Sequence, residues 1–385
     1  MEVHMKVAEI SGEGFKNLLS IAKFGEQAWL LGDSGFLKVS SGSSNFWIEG
    51  SVIANSVDTN VKAAFDSFAA KKLLNIIESD KVYEILLEDT ADGNFVIVRR
   101  AGSRGQYKLP LLTLPEPWKH IDDQKFAPFV SIPAETFEEI SAAANAVKGN
   151  NFYTATLYTW FLPIKTEEND KYSLRVVSLS DYFLISHFYP YINPASDFAF
   201  GILNEHIEIL KSFLDATDSF QISLSKEENA AVISAELIKF LFSYESVVPA
   251  VVNTLIAKAE TIGSNAAGTA VVKDKKRIQS LLKLAGKIYE KENAVNLKLN
   301  TGIFEIVFSD SVSYFKERIE ATVWGELADV WVDSQYLDRI VTIFPDSFTL
   351  LFDPEAKFLV LKSSVDGCEI IGLLACLQKR QKTNG

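Results

Sequence analysis

The chain has 385 residues, 48% of them apolar, and carries 38 basic against 50 acidic side chains, a formal charge of −12. At about 100–200 residues per domain this length predicts two to four domains, each with a core of its own. An acidic body repels nucleic acid as a whole, so a DNA-binding role demands that positive charge be concentrated somewhere.

The N-terminus, "MEVHMKVAEISGEG", lacks the apolar core of a secretory signal. Phe15, Leu18, Leu19 and Ala22 then fall at i, i+3, i+4 and i+7, one stripe of an amphipathic helix. Lys16 and Lys23 share a flank of it. A strand–turn–strand follows, "FLKVSSGSSNFWI". "GDSGF" at 32–36 and "GSRGQ" at 102–106 read as turns rather than phosphate loops. Residues 69–100 give a short helix and two strands around a Gly-containing turn, with Lys71 and Lys72 away from the Leu73/Leu74/Ile77 stripe.

Both phrases return. The helix stripe recurs at Phe137/Ile140/Ser141/Ala144 and Ile278/Leu281/Leu282/Ala285, each followed by a strand–turn–strand, "SLRVVSLSDYFLI" and "IFEIVFSDSVSYF". The second phrase recurs at 204–235 and 333–363, with Tyr83, Phe220 and Phe348 opening equivalent strands. Within those strands apolar residues alternate with period two, as half-buried strands require. One unit of helix, strands, helix, strands is therefore used three times. The layout predicts an α+β fold of three similar domains, each with two helices packed on antiparallel sheets. Turn-rich "LPEPWKHIDDQK" at 114–125 and small, polar "AKAETIGSNAAGTA" at 257–270 read as connections. They divide the chain into 1–124, 125–260 and 261–385, with a frayed tail, "QKRQKTNG".

The longest apolar runs, such as "IIGLLACL" at 370–377, are far short of the roughly 18–20 residues that span a bilayer. Cys368 and Cys376 sit eight residues apart and read as members of one strand, which argues against a structural disulfide and for a reducing, cytoplasmic setting. No Gly-rich phosphate loop, no H-E-x-x-H and no G-x-S-x-G is present, and His4, His120, His187 and His206 are scattered. Glu138/Glu139 and "SKEEN" at 225–229 read as solvated faces. The expectation is a non-catalytic binding body with no metal or cofactor.

Positive charge gathers in "VVKDKKRIQSLLKLAGKIYEK". At 100° per residue, Lys276, Lys283 and Lys287 fall opposite the Ile278/Leu281/Leu282/Ala285 stripe, and Lys273 lies close by. With Lys16, Lys23, Lys71 and Lys72 they form a candidate phosphate-facing set. Lysine is a flexible point charge, and loose phosphate contacts hold duplex DNA without reading its sequence. The helix "PAETFEEISAAANAVKG" breaks the pattern, with Glu135, Glu138 and Glu139 and only Lys148 near its end.

This triple repeat resembles the bacterial-type DNA polymerase sliding clamp, the β clamp, over the whole chain and as a divergent member compatible with a bacteriophage origin. "FAAKKLLNIIES" with "QYKLPLLTLPEPW" looks like the end of that family's first domain, "SLRVVSLSDYFLI" like its second-domain L-x-x-V-A-T-D-G-x-R-L segment, and "WVDSQYLDRIV" like its F-N-x-x-Y-L helix start. The resemblance implies a head-to-tail homodimeric ring around double-stranded DNA that tethers a DNA polymerase and is opened by a clamp loader. It implies a ring interface of Tyr107 and Leu109 against Ile288 and Tyr289 of a second subunit, with Pro110 fitting an edge strand. It also implies a partner-peptide groove between the second and third domains. The groove would be lined by Leu179, Asp181, Tyr182, Phe183 and Leu184, by Pro249 and Thr254, by Asp333 and Tyr336, and by Leu373, Leu374 and Ala375. "SLSDYFL" and the ending "LLACLQKRQKTNG" depart from the family's motifs, which implies a different peptide preference. The rival readings are a clamp-like interaction scaffold that never encircles DNA and, less favoured, a carboxylate-based nuclease.

Overall fold

The computed structural model describes residues 3–43, 45–58, 62–90, 93–112, 121–149, 153–166, 171–288, 294–309 and 314–377. Among them are seven α-helices: α1 (Gly12–Ala22), α2 (Ser67–Leu74), α3 (Ala134–Ala146), α4 (Asn204–Lys211), α5 (Ala250–Ser264), α6 (Lys275–Ile288) and α7 (Ser334–Ile343). Strand pairing is antiparallel in every register described. The α+β expectation holds. So does the repeat, because α1 packs on α2, α3 on α4 and α6 on α7.

The chain gathers into two compact units, Met1–Phe129 with Asp215–Tyr244, and Val130–Leu214 with Glu245–Gly385. This grouping cuts the middle repeat, because strand Ile238–Ser243 pairs along Phe46–Ile53 inside the first unit. It leaves the threefold recurrence of helix pairs intact.

In the first unit, Ser11 starts α1 by accepting the Gly14 N–H at 3.1 Å, and Phe15, Leu18, Leu19 and Ala22 are buried as the periodicity requires. Gly12 is there for space: a Cβ would fall 1.9 Å from the Glu78 carbonyl oxygen. Asp66 caps α2 through the Phe68 N–H at 2.6 Å. One sheet runs 56–57, 3–11, 82–90, 93–100, 106–110. In a larger one, seven consecutive strands run 219–225, 230–235, 238–243, 46–53, 36–42, 27–33, 62–66. The turn read in "GDSGF" is the hairpin between strands 27–33 and 36–42, with Ser34 and Gly35 at φ 41° and 91°. Positive φ at both centres matches the twist of a two-residue hairpin.

The second unit holds a nine-stranded sheet, 200–203, 158–165, 172–179, 183–189, 368–375, 358–365, 348–352, 268–272, 321–325, and a four-stranded one, 314–319, 303–309, 294–300, 328–333. The nine-stranded sheet separates two layers. Residues on one face of its central strands, Leu179, Leu184, Ile371 and Leu373, join Val252, Ile256, Ala259 and Ile262 of α5 in one apolar cluster. The opposite face meets α7: a Cβ on Gly372 would lie 2.7 Å from Ile340 and 3.2 Å from Phe344.

The reading of 257–270 as a small, polar connection is corrected here. α5 runs to Ser264 and the next strand starts at Gly268. Its alanines, threonines and glutamate hide a buried stripe, Val252, Ile256, Ala259 and Ile262, so α5 is a seventh helix added to the three pairs. Of the other connection, residues 113–120 lie outside the described residues, as does the 378–385 tail.

Candidate functional site

Six of the eight cationic positions lie on helices, while Lys23 directly follows α1 and Lys273 precedes α6. α6 has five basic and no acidic residues, and its exposed Lys276, Lys283 and Lys287 oppose buried Ile278, Leu281, Leu282 and Ala285. Lys273 is exposed just ahead of that helix. Lys71 and Lys72 are exposed in the last turn of α2, where the Lys72 ammonium sits 4.6 Å from the ring centre of exposed Phe68. Lys16 and Lys23 are half-buried; Lys16 donates to Ser79 Oγ at 3.1 Å and Lys23 lies 4.8 Å over the Phe24 ring.

Not every cation of α6 faces water. The Lys275 ammonium caps the end of α7, donating to the carbonyls of Thr342, at 3.1 Å, and Phe344. Arg277 Nε donates to Glu317 Oε1 at 2.6 Å. Lys283 is near enough to draw down the Asp338 carboxyl, which burial pushes up. The acidic exception also stands: Glu135, Glu138 and Glu139 project from α3, and Glu139 accepts from Tyr189 Oη at 3.1 Å. Burial, then its own acidic neighbours, raises the Glu139 pKa.

The residues expected to line a groove lie around one end of the nine-stranded sheet, on both of its faces. A tight turn there joins strands Tyr172–Leu179 and Phe183–Tyr189, with Ser180 Oγ accepting from the Tyr182 and Phe183 N–H groups, each at 3.2 Å. The Ala375 N–H donates to the Tyr182 carbonyl at 2.9 Å, and the Leu377 N–H to the Trp331 carbonyl at 2.7 Å. Turn, last strand and the approach to α7 are thereby fastened together. Asp333 opens α7 by accepting the N–H groups of Gln335, at 2.8 Å, and Tyr336, at 3.2 Å.

The pleat then divides these side chains. Leu184 pairs with Leu373 and Phe183 with Leu374, and neighbours along a strand face opposite ways. Leu179, Leu184 and Leu373 are packed into the core against α5, at whose N-terminus Pro249 is half-buried and Thr254 exposed. On the α7 side Tyr336 takes Phe183 at 5.8 Å, and Tyr182 in a stack at 4.7 Å and 16°. Burial raises the Tyr336 phenol, and the negative charges of Asp333 and Asp181 add to the shift. The α5 side also exposes apolar residues that sequence reading passed over: Val247 at 71%, Val251 at 44% and Leu157 at 43%. The signal was there, in the valine pairs on either side of Pro249.

Tyr107 and Leu109 lie on strand Gln106–Pro110, which is an edge of its sheet as Pro110 suggested. Tyr107 is 40% exposed, but Leu109 is 8% exposed and paired with Val96, within its own unit. Tyr289 and the Ile288 side chain lie outside the described residues.

The remaining reactive residues are enclosed. Cys368 begins the last long strand and Cys376 follows it; both thiols are free and burial pushes both up to about 12. His206, near the start of α4, is buried rather than solvated, and His187 is buried beneath the helix layer; burial lowers each to about 4. Among the described residues no cluster of three or more His, Cys, Asp or Glu could hold a metal, and no helix is long and apolar enough to cross a membrane.

No known protein-family pattern matches the chain, and no curated protein matches its sequence. Solved structures do. The DNA polymerase III beta subunit of Thermotoga maritima superposes with a TM-score of 0.81 at 11% identity, covering 97% of this chain and 100% of that one. The DNA polymerase III subunit beta of Pseudomonas aeruginosa gives 0.80 at 12%, covering 98% and 100%. The beta sliding clamp of Caulobacter crescentus gives 0.80 at 12%, covering 98% and 99%. The chain therefore has the beta-sliding-clamp fold from end to end, reached with a very different sequence.

Proposed function

We propose that this chain is a DNA polymerase sliding clamp: a non-catalytic processivity factor that closes head-to-tail as a homodimer around duplex DNA and tethers the replicative polymerase. The observation that carries this reading is the full-length likeness to beta clamps, matched over 97–98% of this chain. In this reading 1–124, 125–260 and 261–385 are three clamp domains, the second boundary falling inside α5. Lys16, Lys23, Lys71, Lys72, Lys273, Lys276, Lys283 and Lys287 face phosphates. The place of six of them on helices of an otherwise acidic chain supports that role, since weak, interchangeable, salt-sensitive contacts let a protein slide.

The ring closes where Tyr107 and Leu109 meet Ile288 and Tyr289 of a second copy. The exposed Tyr107 on an edge strand supports this, since an unpaired edge is a template for another chain. Polymerase and loader dock by short apolar peptides across the sheet end at Leu179–Leu184, Leu373–Ala375, the start of α5 and the start of α7. An apolar anchor packed against the exposed Val247 and Val251 there would supply most of a peptide's affinity. The work is done in the cytoplasm and needs no cofactor.

The test is topological. Loaded onto nicked circular DNA, the protein should stay bound for far longer than on linear DNA of equal length with free ends. Equal loss from both would remove the ring and leave a clamp-like interaction scaffold. Divalent-metal-dependent cleavage of DNA, abolished by Asp→Asn changes, would instead restore the nuclease reading.

A further inference from the structure

The α7 side of the groove ends in a stack with an accessible terminus. The Arg339 guanidinium lies 6.0 Å from the Tyr336 ring centre. Tyr182 stacks on Tyr336 at 4.7 Å and is itself 44% exposed. Phe183, tilted 44° at 5.8 Å, backs Tyr336. Tyr182 is placed by its backbone, through the bonds of its N–H to Ser180 and of its carbonyl to Ala375. The aromatic surface therefore sits on a hairpin turn whose backbone is tied to the last strand.

The charge bordering this surface is negative. Asp181 precedes Tyr182, and Asp333 stands at the start of α7. Both act on Tyr336, where they oppose Arg339. Arg339 is already engaged, since it also donates to the Lys148 carbonyl at 2.7 Å. The stacked tyrosines thus leave the Tyr182 ring accessible beside acidic residues, a setting that suits a planar cation.

We propose that this end of the groove recognises an arginine of the partner peptide, its guanidinium laid on Tyr182 and paired with the Asp181 carboxylate, while an apolar side chain of the same peptide packs on the exposed Val247 and Val251 at the start of α5. The inference rests on the peptide groove proposed above and adds the chemistry that selects the peptide. Arginine fits better than lysine because its planar, weakly hydrated head stacks on a ring while its edge N–H groups still reach a neighbouring carboxylate. A glutamate at the same place meets two like charges.

The experiment uses the full-length protein and fluorescein-labelled nonapeptides of Gly and Ser around a central Leu-Phe pair. Arg, Lys, Gln or Glu is placed in turn at each flanking position, and binding is read by anisotropy. At one position Arg should bind about five- to tenfold more tightly than Gln, with Lys between them and Glu weakest. Tyr182→Ala and Asp181→Asn should each bring Arg and Gln within about twofold, with Tyr182→Phe keeping the preference. Circular dichroism establishes that each variant is folded. Leu-Phe peptides that bind with no arginine preference at any position, or a preference that survives Tyr182→Ala, overturn the inference and leave the groove standing. If no peptide binds at any tested concentration, the groove itself is lost and the arginine site with it.

Discussion

Tyr182 and Tyr336, 154 positions apart in the chain, stack with ring centres 4.7 Å apart and planes 16° from parallel. The stack joins the turn that ends one pair of strands to the first turn of α7. A double-mutant cycle of Tyr182→Ala and Tyr336→Ala should show a coupling of about 0.5–1.5 kcal/mol in unfolding free energy. The single changes should differ. Tyr336→Ala also strips Phe183 of its neighbour and should cost about 2–3 kcal/mol, whereas exposed Tyr182→Ala should cost roughly 1 kcal/mol. A coupling near zero would mean that the rings do not meet in solution.

Replacing Lys276, Lys283 and Lys287 together by Gln should weaken DNA binding and flatten its salt dependence. Every lysine withdrawn from a phosphate lowers the slope of log K against log salt by about 0.9, so a drop of roughly 2–3 is expected. Lys275→Gln is the contrast. Its ammonium is committed to the carbonyls at the end of α7, so it should lower the melting temperature and leave the slope alone. The reverse pattern would mean that the stripe on α6 is only a solvated face.

Gly372→Ala should destabilise the second unit by about 1–3 kcal/mol. The added methyl would stand 2.7 Å from Ile340 Cγ2 and 3.2 Å from Phe344. Neither can retreat, because both are buried where α7 packs on the sheet. Thermal unfolding decides the point: a melting temperature equal to wild type would show that α7 sits farther from the sheet than described.

Acid should unfold the protein through its histidines before its carboxylates. Burial holds His187 and His206 near pKa 4 against an ordinary 6.5. Both are therefore neutral when folded but take up protons readily when unfolded. Stability is complete above the unfolded value, falls as pH drops from about 6.5 towards 4, and loses on the order of 3 kcal/mol per histidine at most. Carboxylates held low by cations, such as Glu305 beside Lys316, add a loss of the same sign at lower pH. Urea unfolding at pH 7.5, 6 and 5 should show the first decline, and His187→Leu should make it shallower. An unchanged slope in that variant would place the proton uptake elsewhere.

Ring closure should depend on the exposed edge at Tyr107. Light scattering should find a dimer that Tyr107→Glu converts to a monomer while the circular dichroism spectrum stays the same. A wild-type monomer, or a variant that stays dimeric, would count against closure at that strand.

What could be read in the residues and what could not divide along physical lines. The stripe Phe15/Leu18/Leu19/Ala22 and its two later copies, the period-two strands from Tyr83, Phe220 and Phe348, and the Ser34–Gly35 turn all depend on neighbours within a few residues. α5 escaped notice because its buried stripe includes Ala259 and is diluted by threonine, lysine and glutamate, a composition that a solvated connection shares. Lys275 and Lys276 are adjacent and chemically identical, yet one caps a helix and the other faces solvent.

The order of its residues by itself determined that this chain repeats one α+β unit and that cations gather on particular helix faces, because periodicity and charge are local properties. Only the tertiary structure decided on which face of the sheet each expected groove residue lies, that Asp333 caps the start of α7, and that Leu109 is buried in the single chain while Tyr107 stays exposed. Those outcomes depend on which distant strand or helix lies alongside, and such pairings are fixed by the sum of many weak interactions that leave no mark at any one position.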